Sequence, residues 1–151
     1  MQVTISIVKS AHWLNTDFYN SAFTLNNSYV QTTLVDNSAS TTCAPDENIY
    51  ACENTNDKVY LLSYQDYLNT SYGFTNSVDA TTTRECVISE YARANGALCR
   101  TNNYGYYWTR SPYSANTYAA SIICNDGKLS SGYTLNGEYR TVRPSITLKA
   151  N

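Results

Sequence analysis

Residues 118–135 read YAASIICNDGKLSSGYTL and carry the clearest fold signal in the chain. The triplet Asn125-Asp126-Gly127 is typical of a tight hairpin turn, because these residue types tolerate the backbone angles that such turns need. Residues that favour strands flank the triplet on both sides. A second turn signal, Asn136-Gly137, predicts that the chain returns as a further strand. The region therefore predicts a C-terminal β-meander, whose strands are 106–111, 118–124, 128–135 and 138–148.

Helical signals lie earlier in the chain. Apolar residues recur at helical spacing over 11–23 and predict an amphipathic helix. A short second helix is predicted between Ser89, a good N-cap, and Gly96, a typical helix end. Residues 58–63 (KVYLLS) are nearly all apolar and predict a central strand. Early helices and late strands predict an α+β fold, with the helices packed on a twisted antiparallel sheet. Further predicted elements are strands 3–8 and 29–35 and one helical turn at 65–69.

Size and charge limit the class of protein. The chain has 151 residues, a net charge of −2 and 15% charged residues. Its length predicts a single domain over residues 1–151. The low charge excludes a highly charged disordered chain, and the slightly negative balance argues against a nucleic-acid partner. No apolar run is long enough to span a bilayer, so membrane insertion is not expected, and residues 1–10 show no signal-peptide pattern.

Most of the polar residues are uncharged. Asn, Thr, Ser and Tyr together make up 67 of the 151 residues, and 15 of these are Tyr. Tyr provides a large contact area at low entropic cost, while Ser and Asn provide adaptable hydrogen bonds, as in the binding loops of antibodies. Tyr and Thr also favour strands. The composition therefore fits either a binding surface or an ordinary Tyr-rich β-protein.

The cysteines and the single histidine suggest no active site. The five Cys include no C-x-x-C pair, so a structural zinc site is not expected. Cys43 and Cys52 flank a short loop and could form a local disulfide in an oxidising compartment, whereas Cys124 is predicted to be a buried thiol. The chain has no phosphate-binding glycine loop and no Ser-His-Asp order. We therefore expect no catalytic residues, no enzyme activity, no metal ligands and no cofactor.

Five sequence blocks, in this order, resemble one family. They are residues 13–15 (WLN), 57–63 (DKVYLLS), 90–97 (EYARANGA), 107–112 (YWTRSP) and 142–146 (VRPSI). They resemble a bacterial surface-protein domain family of unknown function. This resemblance implies a C-type-lectin-like fold of the formylglycine-generating-enzyme type, which is similar to that of the variable proteins of diversity-generating retroelements. Only residues 1–10 precede the helical segment 11–23, so either N-terminal strands of the family are missing or the predicted strand 3–8 serves alone.

The resemblance does not imply calcium-dependent sugar binding. Calcium occurs in this fold, but the calcium-lectin motifs Glu-Pro-Asn, Gln-Pro-Asp and Trp-Asn-Asp are absent from the sequence. The paired cysteines of a formylglycine-generating active site are not recognisable either. No motif therefore places calcium ligands or a catalytic cysteine pair.

The aromatic and polar residues of the C-terminal third predict a ligand-binding surface. Exposed rings with polar neighbours bind sugars by stacking, or proteins as hot spots. Arg110 and Arg143 lie in the matching blocks and are expected to bond buried carbonyls or a carboxylate such as Asp57 or Glu90. The predicted structural residues are Trp108, Arg110, Pro112, Arg143 and Pro144. The predicted ligand-binding residues are Tyr104, Tyr106, Tyr107, Tyr113, Asn116, Tyr118, Ser121, Tyr133 and Asn136.

The expected function is that of a ligand-binding module, extracellular or at the cell surface, which recognises a protein or glycan on another cell or a phage. The retroelement resemblance adds a genetic expectation. Adenine mutation in an Asn codon of the AAY type yields Tyr, Ser, Thr or Asp, among others, and never a stop; residues 102–141 are rich in these residues. The alternative is a structural or accessory domain of a larger surface protein. An exposed aromatic cluster would favour the binding module.

Overall fold

The structure of the protein is a computed structural model that describes residues 12–25, 27–38, 53–99, 102–113, 119–136 and 139–150. Within these residues the chain combines short helices with short strands, which confirms the predicted α+β class. The predicted strand 3–8 and the predicted disulfide between Cys43 and Cys52 lie outside the described residues. The strands are β1 (Val30–Gln31), β2 (Thr33–Val35), β3 (Thr55–Asp57), β4 (Tyr107–Pro112), β5 (Ala119–Ile123), β6 (Leu129–Thr134), β7 (Thr141–Val142) and β8 (Thr147–Leu148).

The largest sheet of the described residues has four strands in the order β6-β5-β4-β7. Strands β4, β5 and β6 are consecutive and antiparallel, which confirms this part of the predicted meander. The β5–β6 hairpin closes at the predicted turn, where the Cys124 N–H donates to the Lys128 carbonyl at 2.9 Å and Gly127 adopts a φ of 75°. Other residues rarely adopt this angle, and a side chain here would also overlap the Thr81 carbonyl. The turn therefore requires a glycine.

The predicted return strand beside β6 is wrong. The chain instead crosses to the opposite edge of the sheet, where β7 pairs in parallel with β4. At the start of this pairing the Thr141 N–H donates to the Tyr106 carbonyl at 2.9 Å. Pro144 follows closely and has no N–H to continue the ladder. Strand β8 then pairs with β1 in a separate two-stranded sheet, so the chain after β6 is divided between two sheets.

The predicted central strand over residues 58–63 is also wrong. Its ladder pairing is a single bridge between Tyr60 and Ser145. Side chains bond other backbone groups of this segment: the Arg110 guanidinium, for example, donates to the Leu61 carbonyl at 3.0 Å. Because these groups are satisfied by side chains, the segment does not need two neighbouring strands. The segment is apolar because part of it is buried in the core. The strand that precedes it in sequence, β3, pairs with β2.

The predicted N-terminal helix is confirmed over its described part. A π-helical turn, Leu14–Phe18, continues directly into helix α1, Tyr19–Ala22. The predicted turn at 65–69 is a 3-10 turn, Asp66–Leu68. Within the described ranges, no helix combines the length and the apolar character needed to cross a bilayer.

The predicted second helix is confirmed together with both of its end signals. Helix α2 spans Glu90–Ala94. The Ser89 hydroxyl accepts a hydrogen bond from the Ala92 N–H at 3.1 Å, which satisfies one of the free N–H groups of the first turn. Gly96 follows the helix with a φ of 84°. Both signals act within one helical turn, so the sequence alone sufficed to predict them.

The buried apolar residues of the described ranges form two clusters. The early helix contributes to a cluster with β1, which pairs with β8 in a two-stranded antiparallel sheet, and not to the cluster on the four-stranded sheet. The cluster on the sheet contains Tyr64, Tyr67, Tyr107, Ile123 and Leu129. The cluster at the helix contains Leu14, Tyr19, Val30 and Val59.

Candidate functional site

Three aromatic rings surround one arginine beside the four-stranded sheet. The guanidinium carbon of Arg140 lies 4.9 Å from the centre of the Trp108 ring, 4.9 Å from that of Tyr133 and 5.2 Å from that of Tyr139. A cation within about 6 Å of a ring centre is attracted by the π electrons of the ring. Tyr139 is 46% exposed and the other three residues are half-buried, so the group is open to solvent. We call these four residues the aromatic–arginine cluster.

A β-bulge in β6 places Tyr133 on the same side of the sheet as Trp108. Ser130 lies across the sheet from Trp108, through the intervening strand β5. Between Ser130 and Tyr133, β6 advances three residues while β5 advances two. The extra residue reverses the alternation of side chains beyond it, so Tyr133 faces the same way as Ser130. Gly132 lies within the bulge, where its φ of 82° is one that glycine adopts easily.

Arg140 is held over the rings by the connection between β6 and β7. One terminal nitrogen of its guanidinium donates to the Thr134 carbonyl, at the end of β6, at 3.0 Å. The next residue, Thr141, begins β7 and also donates its hydroxyl to the Tyr106 carbonyl at 3.0 Å. The position of Arg140 therefore depends on both edges of the four-stranded sheet.

The electrostatic environment of the cluster is simple. Within the described ranges the only ion pair joins Arg110 to Asp66, so Arg140 has no carboxylate partner there. Burial raises the pKa of Tyr133, and it also raises the pKa of the nearby Cys124 thiol. Both groups are therefore neutral at pH 7, and the cluster carries the positive charge of Arg140. Among the described side chains, no group of three His, Cys, Asp or Glu residues could hold a metal ion.

The structure places the predicted ligand-binding residues in different environments. Tyr107 is 1% exposed and Ser121 is 0% exposed, so their predicted place on a binding surface is corrected. Tyr107 lies on the core face of β4, and Ser121 lies in the inner strand β5, all of which is buried. Tyr133 belongs to the cluster. Tyr104, Tyr106 and Tyr113 are half-buried and Asn136 is exposed, whereas Asn116 and Tyr118 lie outside the described residues.

The predicted structural arginines bond groups inside the fold. Arg110 forms an ion pair with Asp66, instead of either suggested carboxylate, and donates to the Asp36 carbonyl at 3.0 Å. Arg143 donates to the Tyr107 hydroxyl at 3.2 Å, and its guanidinium lies 5.5 Å from the centre of that ring. Of the other predicted structural residues, Pro112 is buried, Pro144 is half-buried and Trp108 belongs to the aromatic–arginine cluster.

Sequence reasoning missed two residues of the cluster, Tyr139 and Arg140. They lie in the stretch that was predicted to be a regular strand beside β6, and their contacts depend on the crossing to β4. It also missed Arg84, which is 0% exposed and bonds backbone carbonyls. An isolated arginine after three threonines gives no local sign of burial. The available signal for the cluster was the density of Tyr around a turn, which does not specify which rings meet.

Comparison with known families places the chain in one of them. A family model described as a domain of unknown function (DUF6273) matches residues 9–150. This match spans nearly the whole chain, so the chain belongs to that family. Searches of curated proteins and of solved structures found no significant match.

Proposed function

We propose that this DUF6273 domain is a noncatalytic ligand-binding module that recognises a protein or a glycan through the surface around the aromatic–arginine cluster. One observation carries the proposal. Three rings from separate chain segments converge on one guanidinium, yet the group stays open to solvent. Tyr and Trp side chains usually gain more free energy by burial in the core. A solvent-open group of this kind is typical of ligand sites in which rings stack on sugars or anchor a protein partner.

Two residues close in sequence to the cluster would supply the polar contacts that a ligand needs. Asn136 is exposed at the end of the β6 segment, and Tyr106 is half-buried beside β7. An amide and a phenol can both donate and accept hydrogen bonds, so they suit sugar hydroxyls or peptide groups. The rings provide contact area and these residues provide orientation, which is the usual division within a small binding site.

The finer fold assignment is part of the same proposal. We assign a C-type-lectin-like fold of the formylglycine-generating-enzyme type on the basis of the five sequence blocks. The spatial relations of these blocks support it: Asn15 bonds Val59, Tyr60 bridges Ser145, and Trp108 pairs with Val142. Four of the five blocks therefore contact one another and build a common scaffold.

This scaffold leaves a surface between the blocks that can vary. We propose that a diversity-generating retroelement varies this surface. Tyr104 and Asn136 lie outside the buried clusters and carry side chains that are half-buried and exposed, respectively, so they can change with little effect on the core. We also propose that the domain acts at the cell surface or outside the cell, on a ligand carried by another cell or a phage.

A binding screen with matched variants tests the function. The purified chain would be applied to a glycan array and to a displayed library of cell-surface and phage proteins. For any ligand found, we expect Tyr139→Ala to weaken binding about tenfold or more, because it removes a ring of the cluster. Tyr72→Ala is the control, since Tyr72 is 60% exposed and lies outside the cluster. Equal binding by both variants would show that the ligand binds outside the aromatic–arginine cluster, and no ligand in either screen would favour the accessory-domain alternative.

A further inference from the structure

The hydrogen-bond donors of Arg140 are only partly used within the described residues. A guanidinium has five N–H donors. The hydrogen bond that the structure gives Arg140 uses one terminal nitrogen and ends on the Thr134 carbonyl. The ion pair of the described residues belongs to a different arginine, Arg110. Within the described residues, Arg140 thus presents a positive charge and further donors that no carboxylate receives.

The rings and a carboxylate can bind the same guanidinium together. The cation–π attraction of Trp108 and Tyr133 acts on the charge of the guanidinium, whereas a carboxylate is bound through its in-plane N–H donors. A ligand carboxylate that approaches the edge can therefore accept two parallel hydrogen bonds. The rings also limit the motion of Arg140, which lowers the entropy lost when the pair forms. The cluster is therefore preorganised for a planar anion.

On this basis we propose that the aromatic–arginine cluster binds a carboxylated sugar residue, such as a uronic acid, with Arg140 pairing to the carboxylate. This inference rests on the proposed binding function and names its ligand class. The sugar ring would lie against the exposed part of Tyr139, and its hydroxyls would bond polar neighbours such as Asn136. Rings stack on the C–H faces of sugars, so one ring and one arginine together recognise both parts of an acidic sugar.

The charge of the whole chain favours an acidic sugar over an acidic protein. The chain has 10 Lys and Arg against 12 Asp and Glu, so it carries no overall positive charge to attract a polyanion. The cluster offers one cation, and all three ring centres lie within 5.2 Å of it. A site of this size suits one sugar unit with one carboxylate better than an extended acidic surface.

The test compares ligands that differ only in the carboxylate. The chain would be titrated with glycans that carry a single uronic or nonulosonic acid residue, with the methyl esters of these glycans and with their neutral counterparts, and binding would be followed by calorimetry. We expect at least one acidic glycan to bind about tenfold or more tightly than its ester or neutral counterpart. Arg140→Gln should abolish this preference. Arg140→Lys should keep only part of it, because lysine keeps the charge and loses the planar fork.

Controls separate this inference from the function on which it rests. Arg93→Gln removes an exposed arginine that bonds Asn103 outside the cluster, and it should leave binding unchanged. Thermal unfolding of each variant checks that Arg140→Gln still folds. Equal binding of acid and ester, binding of neutral glycans alone, or binding of a protein alone would overturn the carboxylate inference and leave the binding module intact. Failure of every glycan and every protein ligand would overturn both.

Discussion

The side chain of Asn15 bonds both backbone groups of Val59. Its Oδ1 accepts from the Val59 N–H at 3.0 Å, and its Nδ2 donates to the Val59 carbonyl at 2.8 Å. One amide side chain therefore provides the donor and the acceptor that a neighbouring strand would otherwise provide. Val59 is completely buried, so without Asn15 these two groups would be cut off from water.

Replacement of Asn15 by alanine should strongly destabilise the fold. Asn15→Ala removes the bonds to Val59 and a further bond from the Lys58 N–H at 2.7 Å. We expect the free energy of unfolding to fall by about 2–3 kcal/mol, because unpaired buried backbone groups remain. Urea unfolding measures this loss. Asn20→Ala, at an exposed position of the following helix, is the control and should change stability by about 0.5 kcal/mol or less. Equal losses in the two variants would contradict this role for Asn15.

Arg84 should be important for stability, although it has no ion-pair partner among the described residues. It is completely buried, and its guanidinium donates to the carbonyls of Gly127 at 2.8 Å and Asp79 at 2.7 Å. Arg84 thereby links the loop at Asp79 to the β5–β6 hairpin at Gly127. Lysine has a single terminal nitrogen and cannot reach the Gly127 and Asp79 carbonyls as the two guanidinium nitrogens do. Arg84→Lys should therefore lower the free energy of unfolding by about 3 kcal/mol. Arg93→Lys, at the surface, should have little effect in the same unfolding experiment, and a stable Arg84→Lys protein would show that the hairpin holds without this link.

The glycine of the β6 bulge should affect binding as well as stability. Gly132→Ala places a side chain at a φ of 82°, which costs about 1 kcal/mol, and its Cβ would meet the Tyr113 ring at 3.4 Å. A shift of the bulge would turn Tyr133 away from the cluster. Gly73→Ala is the matched control, because Gly73 has a φ of 84° and open space around it.

We expect both glycine variants to lose a similar stability in thermal unfolding, with only Gly132→Ala also weakening the ligand found in the binding screen. If Gly73→Ala weakened binding equally, the effect would reflect general destabilisation and not the geometry of the bulge.

Alkaline pH should destabilise the protein through Tyr67. Tyr67 is 1% exposed, and its hydroxyl has no hydrogen-bond partner within the described residues. Burial raises its pKa well above the ordinary value of 10.0, and the neighbouring Tyr107 adds to this rise. The folded state therefore keeps this proton where the unfolded state loses it. The resulting stability is fully present below pH 10 and falls by about 1.4 kcal/mol per pH unit above it.

The variant Tyr67→Phe should remove this contribution to the pH dependence, because phenylalanine has no proton to lose. The Tyr67 hydroxyl bonds no described group, so replacement of Tyr67 by phenylalanine should change stability little at pH 7. Urea unfolding of both proteins between pH 8 and pH 11 measures the two slopes. An unchanged alkaline slope in Tyr67→Phe would show that Tyr67 ionises normally in the folded protein.

Deep sequencing of the gene from its source population tests the proposed diversification. Across codons 100–147 we expect substitutions at adenine positions, concentrated at surface residues such as Tyr104 and Asn136. Trp108, Arg110 and Arg143 should stay unchanged, because Trp108 pairs with Ile122 and Val142 in the sheet and the two arginines bond groups inside the fold. Variation spread evenly over all bases, or mainly silent, would indicate a domain with a fixed surface.

Local signals were sufficient for the elements whose geometry is decided within a few residues. The Ser89 cap, the glycine that ends helix α2 and the turn at Gly127 are all present as predicted. In each case the residue that gives the signal also makes the decisive hydrogen bond or adopts the decisive backbone angle. The α+β class followed from the same signals, because it needs only the order of helices and strands.

Tertiary structure decided the features that depend on distant residues. The apolar run at 58–63 resembles a strand, but Asn15 and Arg110 satisfy backbone groups there from elsewhere in the chain. The turn signal after β6 does not reveal that β7 crosses to pair with β4. This crossing brings Arg140 over the rings, so the site could not be assembled from local patterns.

The sequence by itself therefore determined the fold class, the helix ends and the β5–β6 hairpin, since these depend on backbone preferences of neighbouring residues. The ligand-binding surface that the Tyr-rich C-terminal third predicts stays a prediction. Only the tertiary structure decided that Tyr107 is buried while Trp108 joins the cluster, because alternate residues of β4 face opposite sides of the sheet. Which of the two sides faces the core depends on long-range packing.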